Sequence, residues 1–189
     1  DIHFINHRGV VIGEWGYISY TSDSGQTWQT AKQNGTYQNF NCVNFTQGLY
    51  YSCGNSGYIS LSSDSGVNWT SKKVGSNESF NYIHFYNSTD GWVCGNKGEI
   101  YSTQNGGLTW QKRTIASQSG QDAVYVRFFS SSEGLIVFRN GALLKTTNGG
   151  TTWVNHSTNN SLNISTAHFL TINKGSMISN NLLSLTCVR

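Results

Sequence analysis

The chain has 189 residues, 11% of them charged and 13% aromatic, with a net charge of +3. Its 12 Lys and Arg are scattered and form no basic run, which excludes an ordinary nucleic-acid binder, and no apolar stretch approaches the ~20 residues of a membrane span. With 21 Gly, no Pro and abundant Ser, Thr and Asn, the composition suits tight turns between half-buried strands, and no helical periodicity of useful length appears.

Taken in chain order, one unit repeats. It opens with an apolar-polar-Phe strand: Ile2-His3-Phe4, Val43-Asn44-Phe45, Ile83-His84-Phe85, Val126-Arg127-Phe128 and Ala167-His168-Phe169. A turn glycine follows (Gly9, Gly48, Gly91, Gly134, Gly175), then a short second strand and a second turn. A third strand ends in a Ser/Thr-x-Asp/Asn turn that closes on Trp28, Trp69, Trp110 and Trp153, at steps of 41, 41 and 43 residues. A period near 40 built from four short strands predicts an all-β propeller of antiparallel blades, because a lone blade cannot bury its two apolar faces. A parallel β-solenoid is the competing array, with shorter coils and without this turn. The predicted blades are 1–40, 41–80, 81–123 and 124–164, with a partial fifth over 165–189. The chain starts at Asp1 and is expected to be a processed or excised piece of a larger ring that continues past Arg189.

The recurring turn reads Thr21-x-Asp23-x-Gly25-x-Thr27-Trp28, then Ser62-x-Asp64-x-Gly66-x-Asn68-Trp69, Thr103-x-Asn105-x-Gly107-x-Thr109-Trp110 and Thr146-x-Asn148-x-Gly150-x-Thr152-Trp153. A short Asp or Asn side chain is suited to accept from turn N–H groups that no strand satisfies. Gly takes a backbone angle denied to other residues, and the indole caps the hairpin. The motif resembles the Asp-box, or BNR repeat. The wider unit from Ile83 to Lys112, with its Gly91-Trp92-Val93-Cys94-Gly95 strand, resembles the photosystem II stability/assembly factor family. That resemblance implies a β-propeller acting as an assembly chaperone and not as an enzyme. The sparse arginines depart from any Arg-rich binding patch.

Asp23 and Asp64 are conspicuous acids, but their copies Asn105 and Asn148 keep the hydrogen-bonding shape without the charge, which fits a structural role and not a general acid or base. A sialidase would need an Arg cluster, and Arg8, Arg113, Arg127, Arg139 and Arg189 show no convergence. Outside the boxes, Glu14 and Asp122 are the acids expected on one face. His3, His84 and His168 share one strand position with Asn44 and Arg127, so polar channel lining is expected there, with no metal and no cofactor.

Propellers bind through the face made by the second-to-third turns and the fourth-to-first connections. Trp15, Tyr37, Asn55, Asn96, Lys97 and Arg139 are the candidates on that face, and Phe40 and Phe80 could also present there; the alternative is ordinary loop polarity with Phe40 and Phe80 tucked beneath it. Pairing Phe45 with Tyr50 would set Cys42 opposite Cys53, close enough for a disulfide; the alternative is two small buried hydrophobes. Eight Asn-x-Ser/Thr sequons occur, at Asn34, Asn44, Asn68, Asn77, Asn87, Asn155, Asn159 and Asn163.

The expected function is a non-catalytic platform for protein–protein contact in an extracytoplasmic surface or assembly complex. A carbohydrate-binding propeller is one alternative, and a fragment of an Asp-box glycoside hydrolase of sialidase or xyloglucanase type is another. Protein partners are expected, glycans are the secondary candidates, and neither nucleic acid nor a direct membrane span is expected.

Overall fold

A computed structural model describes residues 1–34, 37–75, 77–157, 163–179 and 182–184. Blade 1 contains β1 (Ile2–Ile5), β2 (Arg8–Ile12), β3 (Ile18–Thr21) and β4 (Gln29–Thr30), each antiparallel to the next. The chain then forms β5 (Lys32–Gln33) before blade 2, which holds β6 (Phe40–Thr46), β7 (Leu49–Gly54), β8 (Tyr58–Ser62) and β9 (Asn68–Lys73). Blade 3 holds β10 (Phe80–Phe85), β11 (Gly91–Gly95), β12 (Ile100–Thr103) and β13 (Gln111–Lys112). Blade 4 holds β14 (Ala123–Phe128), β15 (Gly134–Phe138), β16 (Leu143–Thr146) and β17 (Val154–Asn155). A fifth sheet has three strands among the described residues, β18 (Ile164–Thr171), β19 (Lys174–Ser179) and β20 (Leu182–Ser184).

The fourth strands depart from the expected length. In blades 1, 3 and 4 they have two residues and begin just after the Trp, whereas in blade 2 the strand has six and includes Trp69. Edge pairing accounts for Asn68 and Trp69, while residues 70–73 are held by four pairs to β8 where the other blades make two. β5 runs parallel to β9, with Lys32 opposite Asn68 and Gln33 opposite Trp69, so the segment leaving blade 1 satisfies the outer edge of blade 2.

The core lies between blades, as two-faced sheets require. Cys42, Tyr51, Ile59, Phe80, Ile83, Phe85 and Val93 form the layer between blades 2 and 3. Trp92, Ile100, Val126, Phe128, Ile136 and Leu144 form the layer between blades 3 and 4. Tyr51 stacks on Phe85 at 3.7 Å, and Trp92 stacks on Phe128 at 4.6 Å. β1, at the open end of the arc, leaves Ile2, Phe4 and Ile5 exposed, although the equivalent Phe85, Phe128 and Phe169 are buried.

Each box repeats the same bonds. The N–H of Thr27, Asn68, Thr109 and Thr152 donates to the side-chain Oδ1 of Asp23, Asp64, Asn105 and Asn148, at 2.9 Å in every case. The hydroxyl oxygen of Thr21, Ser62, Thr103 and Thr146 accepts from the box glycine N–H at 2.9 to 3.0 Å. Gly25, Gly66, Gly107 and Gly150 sit at φ of +80° to +88°, the left-handed region. Two of them also face the preceding blade. A Cβ on Gly66 would lie 2.4 Å from Val10, and one on Gly150 would lie 2.5 Å from Trp92. The box therefore seals its hairpin and also cements one blade to the last.

Candidate functional site

The turns between second and third strands are built alike in the first three blades. Gly13-Glu14-Trp15-Gly16, Gly54-Asn55-Ser56-Gly57 and Gly95-Asn96-Lys97-Gly98 each begin extended, and their third residue is left-handed, with φ of 58°, 56° and 52°. The opening glycine has a packing reason. A Cβ on Gly54 would lie 2.0 Å from the Asn39 carbonyl oxygen, and one on Gly95 would lie 2.1 Å from that of Ser79. The incoming connection thus presses against the turn and bonds to it. Asn55 N–H donates to the Asn39 carbonyl and Asn96 N–H to the Ser79 carbonyl, both at 2.9 Å.

Side chains tie each turn to its neighbours. Trp15 N–H donates to Asn39 Oδ1 at 2.9 Å, and Lys97 N–H donates to Asp122 Oδ1 at 3.0 Å. Asn41 Nδ2 donates to Asn55 Oδ1 and to the Phe80 carbonyl of the next blade, at 3.2 and 2.7 Å. Asn81 Nδ2 repeats this one blade on, reaching Asn96 Oδ1 at 2.8 Å and the Ala123 carbonyl at 2.9 Å. Asn41 and Asn81 therefore stitch each blade to the next, and Asn55 and Asn96 anchor their amides within the blade. Lys97 pairs with Glu78 at 2.7 Å and Arg139 with Asp122 at 3.4 Å, both on the exposed rim. Phe40 and Phe80 are buried beneath, as their apolar character requires. Trp15 and Tyr37 stand apart, each 79% exposed.

Asn41 and Asn81 were missed in the sequence. Their signal was present in the Phe-Asn pair that recurs at Phe40-Asn41 and Phe80-Asn81.

The inner strands surround a channel of about 630 Å³ lined by His3, Asn44, His84, Arg127 and His168, as their shared strand position predicts. Its mouth on the turn face is a contiguous cavity of about 340 Å³ that includes Asn41, Asn81 and Arg139. Burial, chiefly, holds His84 down at about 4, with Arg127 adding to the effect and the 2.9 Å bond to the Phe128 carbonyl opposing it. Burial also lowers His3. These imidazoles are neutral at pH 7, but no group of three or more His, Cys, Asp or Glu converges on a metal position among the described residues.

Several of the acids are engaged. Hydrogen bonds from the Thr27 hydroxyl and N–H and from Thr21 bring Asp23 down to about 2, so it is ionised and unsuited to donate a proton. Glu99 is buried, bonded by Tyr101 Oη at 2.7 Å and Lys112 Nζ at 2.6 Å. Asp90 accepts from Asn87 and Thr89, and Asp1 accepts from the Val43 N–H. Glu14 and Asp122 both fall on the turn face, where Asp122 is occupied by Lys97 and Arg139.

Among the sequons, Asn34, Asn77, Asn155 and Asn163 are exposed. Asn44 lines the channel in mid-strand, Asn68 Nδ2 donates to Asp64, and the Asn87 side chain organises the turn to Asp90. Asn159 lies outside the described residues. Cys42 and Cys53 are opposed across β6 and β7, as the predicted register requires, and both are buried free thiols in this structure.

Repeated box turns, stacked four-stranded blades and a polar axial channel define an Asp-box β-propeller. The profile of the photosynthesis system II assembly factor YCF48 family matches residues 67–180, more than half of the chain. The chain belongs to the photosynthesis system II assembly factor YCF48 family. No curated protein sequence matches it significantly. Among solved structures it is similar to one described as YCF48 bound to D1 peptide, at 22% identity and a TM-score of 0.72, over 95% of this chain and 60% of that one. YCF48 from Cyanidioschyzon merolae aligns at 14% identity and a TM-score of 0.70, over 92% and 63%. An ancestral GH74 enzyme aligns at 18% identity and a TM-score of 0.69, over 89% of this chain and 25% of that one. At these identities the likeness is one of fold. The chain spans about 60% of the YCF48 chains it resembles.

Proposed function

We propose that the chain is a non-catalytic docking platform for a polypeptide partner, engaged through the face that carries Trp15 and Tyr37. The observation that carries this reading is the exposure of both rings, with Trp15 set on a fixed turn. Both rings are 79% exposed, while the Trp15 backbone is held left-handed and clamped by Asn39. A left-handed non-Gly residue costs about 1–2 kcal/mol, and the same turn at Ser56 shows that no large ring is needed to form it. Trp and Tyr are enriched among binding hot spots, and the Trp15 turn is preorganised. Family membership supports a partner-binding role. One similar structure is of YCF48 with a D1 peptide, which makes an extended segment a suitable first probe.

We also propose an extracytoplasmic setting, supported by the opposed cysteines, whose bonding would call for an oxidising compartment; protease protection in fractionated cells tests it. For binding, a peptide display library is panned on the immobilised chain and each hit is remeasured by calorimetry. Trp15→Ala and Tyr37→Ala are each expected to weaken a hit about tenfold or more, roughly 1.4 kcal/mol. Leu108→Ala, an exposed site in a box turn, is expected to change nothing. Equal affinity in all variants would remove this face from consideration. Selective binding on a glycan array, or turnover of an aryl glycoside, would replace the platform with a lectin or a hydrolase.

A further inference from the structure

We propose that Cys42 and Cys53 form an intramolecular disulfide, closed by thiol–disulfide exchange that enters from the central channel. Cys42 and Cys53 are direct Cα partners across β6 and β7. In the matching pair of blade 1, Asp1 and Ile12 exchange both backbone bonds, at 3.2 and 2.9 Å. Such hydrogen-bonded pairs place their Cα atoms about 5.5 Å apart, at the usual separation of bonded cysteines. Elsewhere the paired positions carry Tyr82 with Cys94, Tyr125 with Val137, and Thr166 with Ile178. Among the described pairs at this position, blade 2 alone has cysteine on both strands.

Access comes from one side. Cys42 lines both the channel and its mouth, whereas Cys53 is fully buried behind it. The hydrogen bond from Cys53 lowers Cys42, and burial raises Cys53 well above an ordinary thiol. Cys42 is therefore the entering nucleophile. Its thiolate attacks one sulfur of an external disulfide, forming a mixed disulfide and expelling one thiol. Cys53 then loses its proton to solvent and attacks the Cys42 sulfur, expelling the second thiol. Two protein thiols are oxidised, and one external disulfide is reduced to two thiols.

The test uses the folded full chain with oxidised glutathione as the external disulfide. The expected product lacks the mass of two hydrogens, and chymotryptic fragments cut between the cysteines, at Phe45 or Tyr50, stay linked until reduced. Closing the loop of residues 42–53 is expected to raise the melting temperature by about 8 °C, reversibly with dithiothreitol. In a Cys94→Ala, Cys187→Ala background, Cys53→Ala traps one glutathione on Cys42, while Cys42→Ala leaves Cys53 unmodified. Two free thiols after prolonged exposure would overturn the proposal, as would a Cys42–Cys94 linkage or an adduct on Cys53 in the Cys42→Ala variant. Mapping of the unsubstituted chain decides the pairing even if a variant fails to fold.

Discussion

Replacing Gly66 with Ala tests whether the box turn is cement between blades or only a cap on its own hairpin. The new Cβ would lie 2.4 Å from Val10 Cγ2, in the preceding blade, at a residue held at φ +88°. Left-handed strain contributes about 1–2 kcal/mol and overpacking about 1–3 kcal/mol. Together they amount to about 2–5 kcal/mol, or about 10 °C in melting temperature for a chain of this size. Gly48 supplies the control. It has φ +90°, but nothing lies within 4 Å of its Cβ position. Gly48→Ala should therefore lose only the backbone share, about 4 °C. Combining Gly66→Ala with Val10→Ala opens the space, and the pair should be less destabilised than the sum of the singles by about 1–3 kcal/mol. Thermal melts followed by near-UV circular dichroism read the four variants beside the parent. Equal losses for Gly48→Ala and Gly66→Ala, or additivity with Val10→Ala to within about 0.5 kcal/mol, would refute inter-blade packing by the box.

Asp64→Asn should cost under about 0.5 kcal/mol and Asp64→Ala about 1 kcal/mol in urea unfolding, because Asn105 and Asn148 make the same bond to the turn N–H. His84 titrates near 4 when folded, below its ordinary 6.5, so the unfolded chain binds the proton first. The stability tied to this group is complete above about 6.5 and is lost as pH falls toward 4; His84→Gln should flatten that part of the pH–stability curve. Asp23 follows the carboxylate rule: its share is complete above 3.8 and is lost as pH falls toward about 2. In Asp23→Asn that lower step should disappear while the upper one remains. Trp15→Ala and Tyr37→Ala should leave the melting temperature within about 2 °C of the parent, because exposed rings bury little on folding.

The blades were legible because period and turn chemistry repeat together. Trp28, Trp69, Trp110 and Trp153 mark a spacing that survives every loop, and each box must satisfy the same orphan N–H groups by the same side-chain oxygen. Register followed from the short hairpin at Gln47-Gly48, so Cys42 opposite Cys53 could be read from the strand alternation. The short fourth strands were not legible. Whether Gln29 or Lys32 finds a partner depends on where the departing segment crosses the next blade, and the pairing of β5 with β9 is non-local. The same limit explains the turn face. Asn55 and Asn96 look like free surface amides in the sequence, yet each accepts from an asparagine of its own blade, Asn41 or Asn81, whose amide also reaches the next blade. Trp15 and Tyr37 are exposed, and their role on the turn face is the proposal that the binding experiment tests.

A nuclear Overhauser spectrum of the isotope-labelled chain tests the side-by-side blade arrangement most directly. It should contain cross-peaks from Val10 methyl protons to the Gly66 α protons, and from the Trp92 indole to the Gly150 α protons, beside the within-blade contacts of Phe85 with Trp110. Within-blade cross-peaks without either inter-blade one would mean that the modules fold but do not stack around an axis, and the turn face built from them would not exist.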